Sequence, residues 1–118
     1  MLEATMSTIR VVDFARSPGG RYISDGPFSG ELFREKVLRP ALADAEKSGE
    51  RVVVELDGTS GYGASFLEEA FGGLVRTGAY RQTELNALLT VVAGTALYEP
   101  YKILADRFIE QARYKSAA

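Results

Sequence analysis

The alternation of apolar and polar positions predicts an α/β fold organised around residues 52–76. Residues 52–56, VVVEL, form a short β-branched run that is typical of a strand covered on both faces in a parallel sheet. A glycine-rich segment follows it. Apolar residues then recur at helical spacing, which predicts an amphipathic helix over residues 66–76 with one buried stripe: Phe66, Leu67, Ala70, Phe71, Leu74 and Val75.

Polar and small residues within this unit predict how the helix begins and how closely it packs. Ser65 and Glu68 have the S-x-x-E spacing of a capping box, so we expect the Ser65 hydroxyl to cap the helix. Gly72 and Gly73 lie inside the helix, where together they cost about 2 kcal/mol relative to alanine. The pair indicates either close packing of the helix on its own sheet or a bare strip that a partner protein approaches. The sequence leaves both interpretations open.

The segment before this unit predicts a hairpin and a helix. Residues 7–15 are expected to form the first strand, and residues 21–24 a short returning strand. Ser29 is a favourable N-cap for a helix that should end at Gly49. Pro40 lies inside that helix, where its missing N–H should kink or split it.

The segment after it predicts one more strand and one more helix. Residues 80–84 are expected to be a polar connection, residues 87–93 an apolar strand, and Pro100 part of the first turn of a final helix. The expected order is β-β-α-β-α-β-α. This corresponds to a single domain over residues 1–118, with a mixed sheet and helices packed against it.

Composition excludes several classes of function. The net charge of −2 comes from interleaved acids and bases, so the chain lacks the basic stripe of a protein that binds nucleic acid or an anionic membrane. The absence of Cys and His excludes thiol nucleophiles, His-based triads and Cys/His zinc sites. No long apolar run indicates a signal peptide or a membrane span, so a cytoplasmic location is expected.

Residues 58–65, GTSGYGAS, have the glycine spacing of a phosphate-binding P-loop. Ala64 stands where that motif needs its lysine, so nucleotide binding through this loop is an alternative and not the main hypothesis. Ser65 has no histidine to act as its base, and a helix cap explains it better than a nucleophile. We therefore expect no catalytic residue, no cofactor and no enzymatic activity.

Four carboxylates and one tyrosine near this loop are the remaining candidates for binding. The carboxylates can gather at the carboxyl edge of the sheet and hold Mg²⁺, although strand termination, helix capping and solvation explain them without a metal: Glu55, Asp57, Glu68 and Glu69. Tyr62 at the loop tip is expected either to anchor a partner or to fold back over the core.

The sequence of residues 56–75, LDGTSGYGASFLEEAFGGLV, resembles those of a bacterial STAS-like family of unknown function. This family is related to the STAS domains of anti-sigma-factor antagonists. Residues 65–74 carry the specific part of the resemblance, and residues 28–35, FSGELFRE, support it. In the antagonists an ATPase/kinase-like partner phosphorylates a serine in an Asp-Ser pair, and the phosphate dissociates the complex. These two positions correspond to Gly63 and Ala64 here. The resemblance thus leaves Ser65 as the candidate phosphoacceptor, with Ser60 or Thr59 as substitutes.

These observations predict a non-catalytic regulatory module that binds a protein partner of the ATPase/kinase-like type. A small-ligand or nucleotide binder and a homo-oligomeric scaffold, such as a homodimer, are the alternatives. The residues expected to contact the partner or ligand lie in the loop and on the outer side of the helix: Asp57, Gly58, Thr59, Ser60, Gly61, Tyr62, Gly63, Ser65, Glu69, Gly72 and Gly73.

Overall fold

A computed structural model of the protein describes residues 6–114. Three strands form one sheet in the order β1-β2-β3, and both strand pairs are parallel. The strands are β1 (Met6–Arg10), β2 (Arg51–Glu55) and β3 (Leu89–Val92). The helices are α1 (Val11–Phe14), α2 (30–48), α3 (64–76), α4 (Gln82–Leu88) and α5 (Glu99–Gln111), with a 3₁₀ turn at Ile23–Asp25. The α/β class expected from the sequence is confirmed.

The order of elements differs from the prediction near the N-terminus. After five residues β1 ends, and Val11–Phe14 form a single helical turn in place of more strand. The expected returning strand at residues 21–24 is also wrong. That segment leads into the 3₁₀ turn, and the Asp25 carboxylate accepts hydrogen bonds from the N–H groups of Arg21 and Tyr22. Within the described residues the sheet is therefore parallel throughout, and the predicted hairpin is absent.

Helix α2 begins and ends where its sequence signals predict. The Ser29 hydroxyl accepts a hydrogen bond from the Leu32 N–H at 3.1 Å, and Gly49 adopts the left-handed conformation that ends the helix, with φ of 73°. The interruption expected at Pro40 takes the form of a π-helical turn, Arg34–Leu38, directly before it. A proline is tolerated there because it lies at the start of the next α-helical segment, Arg39–Ser48.

Helix α3 is the central helix of the core. Its apolar stripe is buried as predicted, with Phe66, Phe71 and Leu74 fully inaccessible. It also contains a π-helical turn, Glu68–Gly72, which packs against α2 and α5. From residue 66 to residue 75 only Glu68 is not buried, so this helix has almost no outer side.

The two faces of the sheet differ in how they are covered. Side chains alternate between faces along each strand, and one face carries four valines or leucines that are buried in the core: Val52, Val54, Leu89 and Val91. The other face, which we call the open face, consists of exposed or half-buried residues: Met6, Thr8, Arg10, Arg51, Val53, Glu55, Thr90 and Val92. Neither Val53 nor Val92 packs against the core cluster. The expectation of a strand covered on both faces is therefore wrong for the described residues.

Helix α4 was not predicted, because residues 80–84 have a polar composition. The Glu84 carboxylate accepts a hydrogen bond from the Arg81 N–H at 2.8 Å, which is half of a capping box. At the other end, the guanidinium of Arg51 donates to the carbonyls of Asn86 and Ala87. A cation at a helix C-terminus is favourable, so a residue of β2 stabilises the helix that leads into β3.

None of the helices formed by the described residues has both the length and the apolar character needed to cross a membrane.

Candidate functional site

The loop of residues 58–65 follows β2 at the carboxyl edge of the sheet and is fastened from several sides. The Tyr98 hydroxyl donates to the Thr59 carbonyl, and the Ser60 N–H donates to the Arg16 carbonyl at 2.8 Å. The Ser60 hydroxyl also lies 3.0 Å from that of Ser17. Because segments that follow β1 and β3 both hold the loop, its outer residues are presented on a rigid base.

Tyr62 does not project from this loop. Its hydroxyl donates to the Leu56 carbonyl at 2.7 Å, and its ring contacts those of Phe66 and Tyr101. Burial raises the pKa of Tyr62 to about 12, which keeps the phenol neutral as a donor. Of the two roles considered for Tyr62, the structure shows the one in which it folds back over the core.

Helix α3 begins at Ala64, two residues earlier than the sequence predicts. Gly63 is the N-cap, in extended conformation, and no side chain caps the helix there. Ser65 is the second helical residue and is exposed, so the prediction that it caps the helix is wrong. Its expected capping partner, Glu68, instead forms ion pairs with Arg21 and Arg76. The exposed end of the site is therefore Gly63, Ala64 and Ser65, at a helix N-terminus without a side-chain cap.

Gly72 and Gly73 are buried, which corrects the idea of an exposed glycine strip. A Cβ on Gly72 would lie 3.2 Å from the Phe108 carbonyl of α5, and one on Gly73 would overlap the guanidinium of Arg34. The glycines therefore permit close packing, but against α5 and α2 and not against the sheet. A partner protein has no access to them in this conformation.

Glu69 was expected to be solvated, yet it lies at the centre of a buried ionic cluster. Its carboxylate accepts a hydrogen bond from Arg34 at 2.6 Å and others from Arg21 and Arg76, each at 3.1 Å. Arg34 also donates to the Glu69 carbonyl at 2.8 Å. The side chains of Arg34 and Glu69 are 6% and 7% exposed. The cluster ties α2 and the segment before it to α3, which is a structural role.

Acid is expected to weaken the fold through Glu69. Burial alone would raise its pKa, but the hydrogen bonds from Arg34 and Arg21 and the charge of Arg76 outweigh burial, so the pKa of Glu69 lies below its ordinary value. A lowered folded-state pKa stabilises the protein above the unfolded pKa of about 4.3, and this stabilisation disappears as pH falls through the folded value. Urea unfolding between pH 7 and pH 3 should show a shallower loss of stability for Glu69→Gln than for the wild type.

The exposed Glu99 provides the control for this measurement, since it has no ion pair among the described residues. If the free energy of unfolding of Glu69→Gln and of Glu99→Gln falls with pH as steeply as that of the wild type, Glu69 is not a source of the acid sensitivity.

The four carboxylates do not converge on one point. Asp57 joins the ends of β2 and β3, because its carboxylate accepts hydrogen bonds from the Gly94 N–H at 2.7 Å and the Thr95 hydroxyl at 3.0 Å. The Gly94 hydrogen bond is the main reason that the pKa of Asp57 is lowered. Glu68 and Glu69 belong to the arginine cluster instead. Within residues 6–114, no group of three or more acidic side chains is placed to hold a metal ion.

A surface depression of about 530 Å³ lies between α4, β3 and α5 and not at the loop. Sequence reasoning could not have found the arginine cluster, because Arg21 and Arg34 are 48 and 35 residues away from Glu69 along the chain. Of the residues predicted to contact a partner or ligand, those that stay accessible lie in the outer part of the loop and at the start of α3.

Comparison with known protein families identifies the family of the chain. A family profile described as a STAS-like domain of unknown function (DUF4325) covers residues 29–96, from the cap of α2 through the residues that follow β3. No curated protein and no solved structure shows significant similarity to the chain. The matched region contains β2, the loop and α3, the same elements that carry the exposed site. More than half of the chain is covered, and the protein therefore belongs to this STAS-like family.

Proposed function

We propose that the protein is a non-catalytic regulatory module that binds a protein partner through the outer part of the loop and the first turn of α3. The observation that carries the proposal is the exposure of Gly63, Ala64 and Ser65 on a loop that is otherwise fastened to the core. A rigid, exposed segment loses little conformational entropy on binding. Membership of a STAS-like family supports a regulatory role.

The contact surface is smaller than the sequence predicts. Glu69, Gly72 and Gly73 are buried, and Asp57 and Thr59 are engaged in holding the loop and the strand ends. The partner surface we propose is therefore residues 60–65, with Glu68 at its border. The partner is proposed to be an ATPase/kinase-like protein, which rests on the resemblance to the antagonist domains.

Ser65 is proposed as the residue through which binding is switched. A phosphate on its hydroxyl would add nearly two negative charges beside the free N–H groups of the first helical turn, where the helix dipole favours an anion. Thr59 is buried and is therefore a poor phosphoacceptor. Ser60 is exposed, but its hydroxyl is hydrogen-bonded to that of Ser17. Ser65 has neither constraint.

The variant Ser65→Glu tests both the surface and the switch. Because an acid in the first turn of a helix is favourable, we expect its free energy of unfolding to rise by about 0.3–1 kcal/mol at low salt, measured by urea unfolding. In a quantitative pull-down with the immobilised chain, the variant should release a protein that the wild type retains.

The control is Ser24→Glu, which adds the same charge at an exposed position before α2. In the pull-down, Ser24→Glu should retain the partner as the wild type does. If Ser65→Glu and Ser24→Glu retain the same proteins as the wild type, residues 60–65 are not the contact surface. A direct test of the switch is incubation with ATP and the retained ATPase, followed by mass spectrometry for phosphate on Ser65.

The second candidate is a small-anion or nucleotide binder, which the uncapped N-terminus of α3 favours. Two observations make it weaker: the lysine of the motif is missing, and the depression of about 530 Å³ is not lined by any residue of the loop. A thermal shift with nucleotide and Mg²⁺ that Ser65→Glu abolishes and Ser24→Glu preserves would favour this candidate over protein binding.

A further inference from the structure

The open face of the sheet is not covered by a helix layer of the described residues, and this points to a second binding surface. Parallel sheets occur almost only where helices cover both faces. Here the core cluster includes Val52 and Val54 of β2 but not Val53, which lies between them on the other face. Val92 of β3 is likewise outside the cluster. Among the described residues, no helix layer covers this side.

The dimensions of the open face favour a narrow occupant. Five residues of strand extend about 16 Å, and three strands at a spacing of about 4.8 Å occupy a width of about 14 Å, so the face offers on the order of 230 Å². A stable dimer buries about 800 Å² on each partner, which a second copy cannot reach through this face alone. One α-helix is about 10–12 Å across and would need roughly eleven residues to cover 16 Å.

The charges at one end of the face indicate which helix would fit. A depression of about 350 Å³ at the carboxyl end is lined by two acids, Glu55 and Asp57, and by the apolar Val92 and Ala93. Arg10 lies 3.6 Å from Glu55, but both side chains are about half exposed and leave this carboxylate accessible. A lysine or arginine has the matching form, with an apolar stem and a cationic end.

We propose that the open face is the docking site for one amphipathic α-helix of a partner protein. An aliphatic stripe of about three helical turns covers Val53 and Val92, and a lysine or arginine at its end enters the depression beside Glu55 and Asp57. The occupant completes the second helix layer of a parallel sheet. This surface contains no residue of the 60–65 segment, so its failure would leave the proposal for that segment intact.

The test is a selection from a phage-displayed library of helix-constrained peptides against the immobilised chain, with counter-selection against Val53→Glu. We expect enrichment of peptides with aliphatic residues at i, i+3, i+4 and i+7 and a basic residue at one end. By fluorescence anisotropy, such a peptide should bind Val53→Glu at least tenfold more weakly than the wild type, and Glu55→Lys should also weaken binding. Backbone NMR shifts on binding should cluster on the open face.

Two further variants make the result decisive. Thr8→Glu, on the neighbouring strand in register with Val53, repeats the disruption at an exposed position if Val53→Glu fails to fold. Ile103→Glu is the matched control, because Ile103 is 49% exposed on α5 in the helix layer; it should bind like the wild type. The proposal is overturned if no peptide is enriched, if NMR shifts map to the helices, or if light scattering shows a dimer that Val53→Glu dissociates.

Discussion

Glu69→Ala is expected to lower the free energy of unfolding by about 3–5 kcal/mol, because it leaves buried positive charge without its partner. Arg34 is 6% exposed and would keep only its contacts to Glu35 and to the carbonyl of residue 69. Arg21 and Arg76 would each lose one of their two carboxylate partners. Urea or thermal unfolding monitored by circular dichroism measures the loss.

A surface ion pair supplies the control for this substitution. Lys102 and Asp106 lie 2.5 Å apart on α5 and are partly exposed, so Asp106→Ala should change stability by no more than about 0.5 kcal/mol. Replacing both buried partners by apolar residues, as in Arg34→Met with Glu69→Leu, should recover part of the loss, since neither then leaves a charge unpaired. A loss below 1 kcal/mol for Glu69→Ala would show that the cluster is not a principal tie between α2 and α3.

Gly30→Ala is expected to be destabilising by about 1–3 kcal/mol, although the change adds a single methyl group. Gly30 is the first residue of α2, and a Cβ there would overlap the Phe66 carbonyl and lie 3.1 Å from the Ala70 nitrogen. Both are backbone atoms of α3, so no side chain can move aside. The two helices would have to separate, with loss of the contact between Phe33 and Phe66.

Gly19→Ala is the matched control, because a Cβ at Gly19 meets no atom within 4 Å. This substitution should leave the free energy of unfolding unchanged or raise it by a few tenths of a kcal/mol, because alanine lowers the conformational entropy of the unfolded chain. Equal unfolding midpoints for Gly30→Ala and Gly19→Ala would contradict the close approach of α2 and α3 at this point.

The sequence predicted the elements whose signals are local. The apolar stripe of α3, the cap at Ser29, the stop at Gly49 and the start of α5 at Pro100 each depend on residues within a few positions of one another. The structure confirms all four. The family resemblance also rested on a contiguous segment, and the match over residues 29–96 confirms it.

Predictions failed where a local pattern fitted two structures equally well. Residues 7–15 are rich in β-branched and apolar residues, yet the strand has partners in β2 only as far as Arg10, and the chain then turns into α1. Ser65 and Glu68 have the spacing of a capping box, but Arg21 and Arg76 attract Glu68 and the helix begins at Ala64. Residues 80–84 are polar enough for a loop, and the carbonyl partners of Arg51 are found only in three dimensions.

By itself, the amino-acid sequence determined the α/β class, the central strand–loop–helix unit and the family, because periodicity and motif spacing are properties of neighbouring residues. Only the tertiary structure decided that Glu69, Gly72 and Gly73 are buried, that Tyr62 folds inward and that residues 6–114 leave one sheet face uncovered. Each of these depends on segments tens of residues apart coming together. Burial and charge pairing are set by distant partners, and no local pattern specifies them.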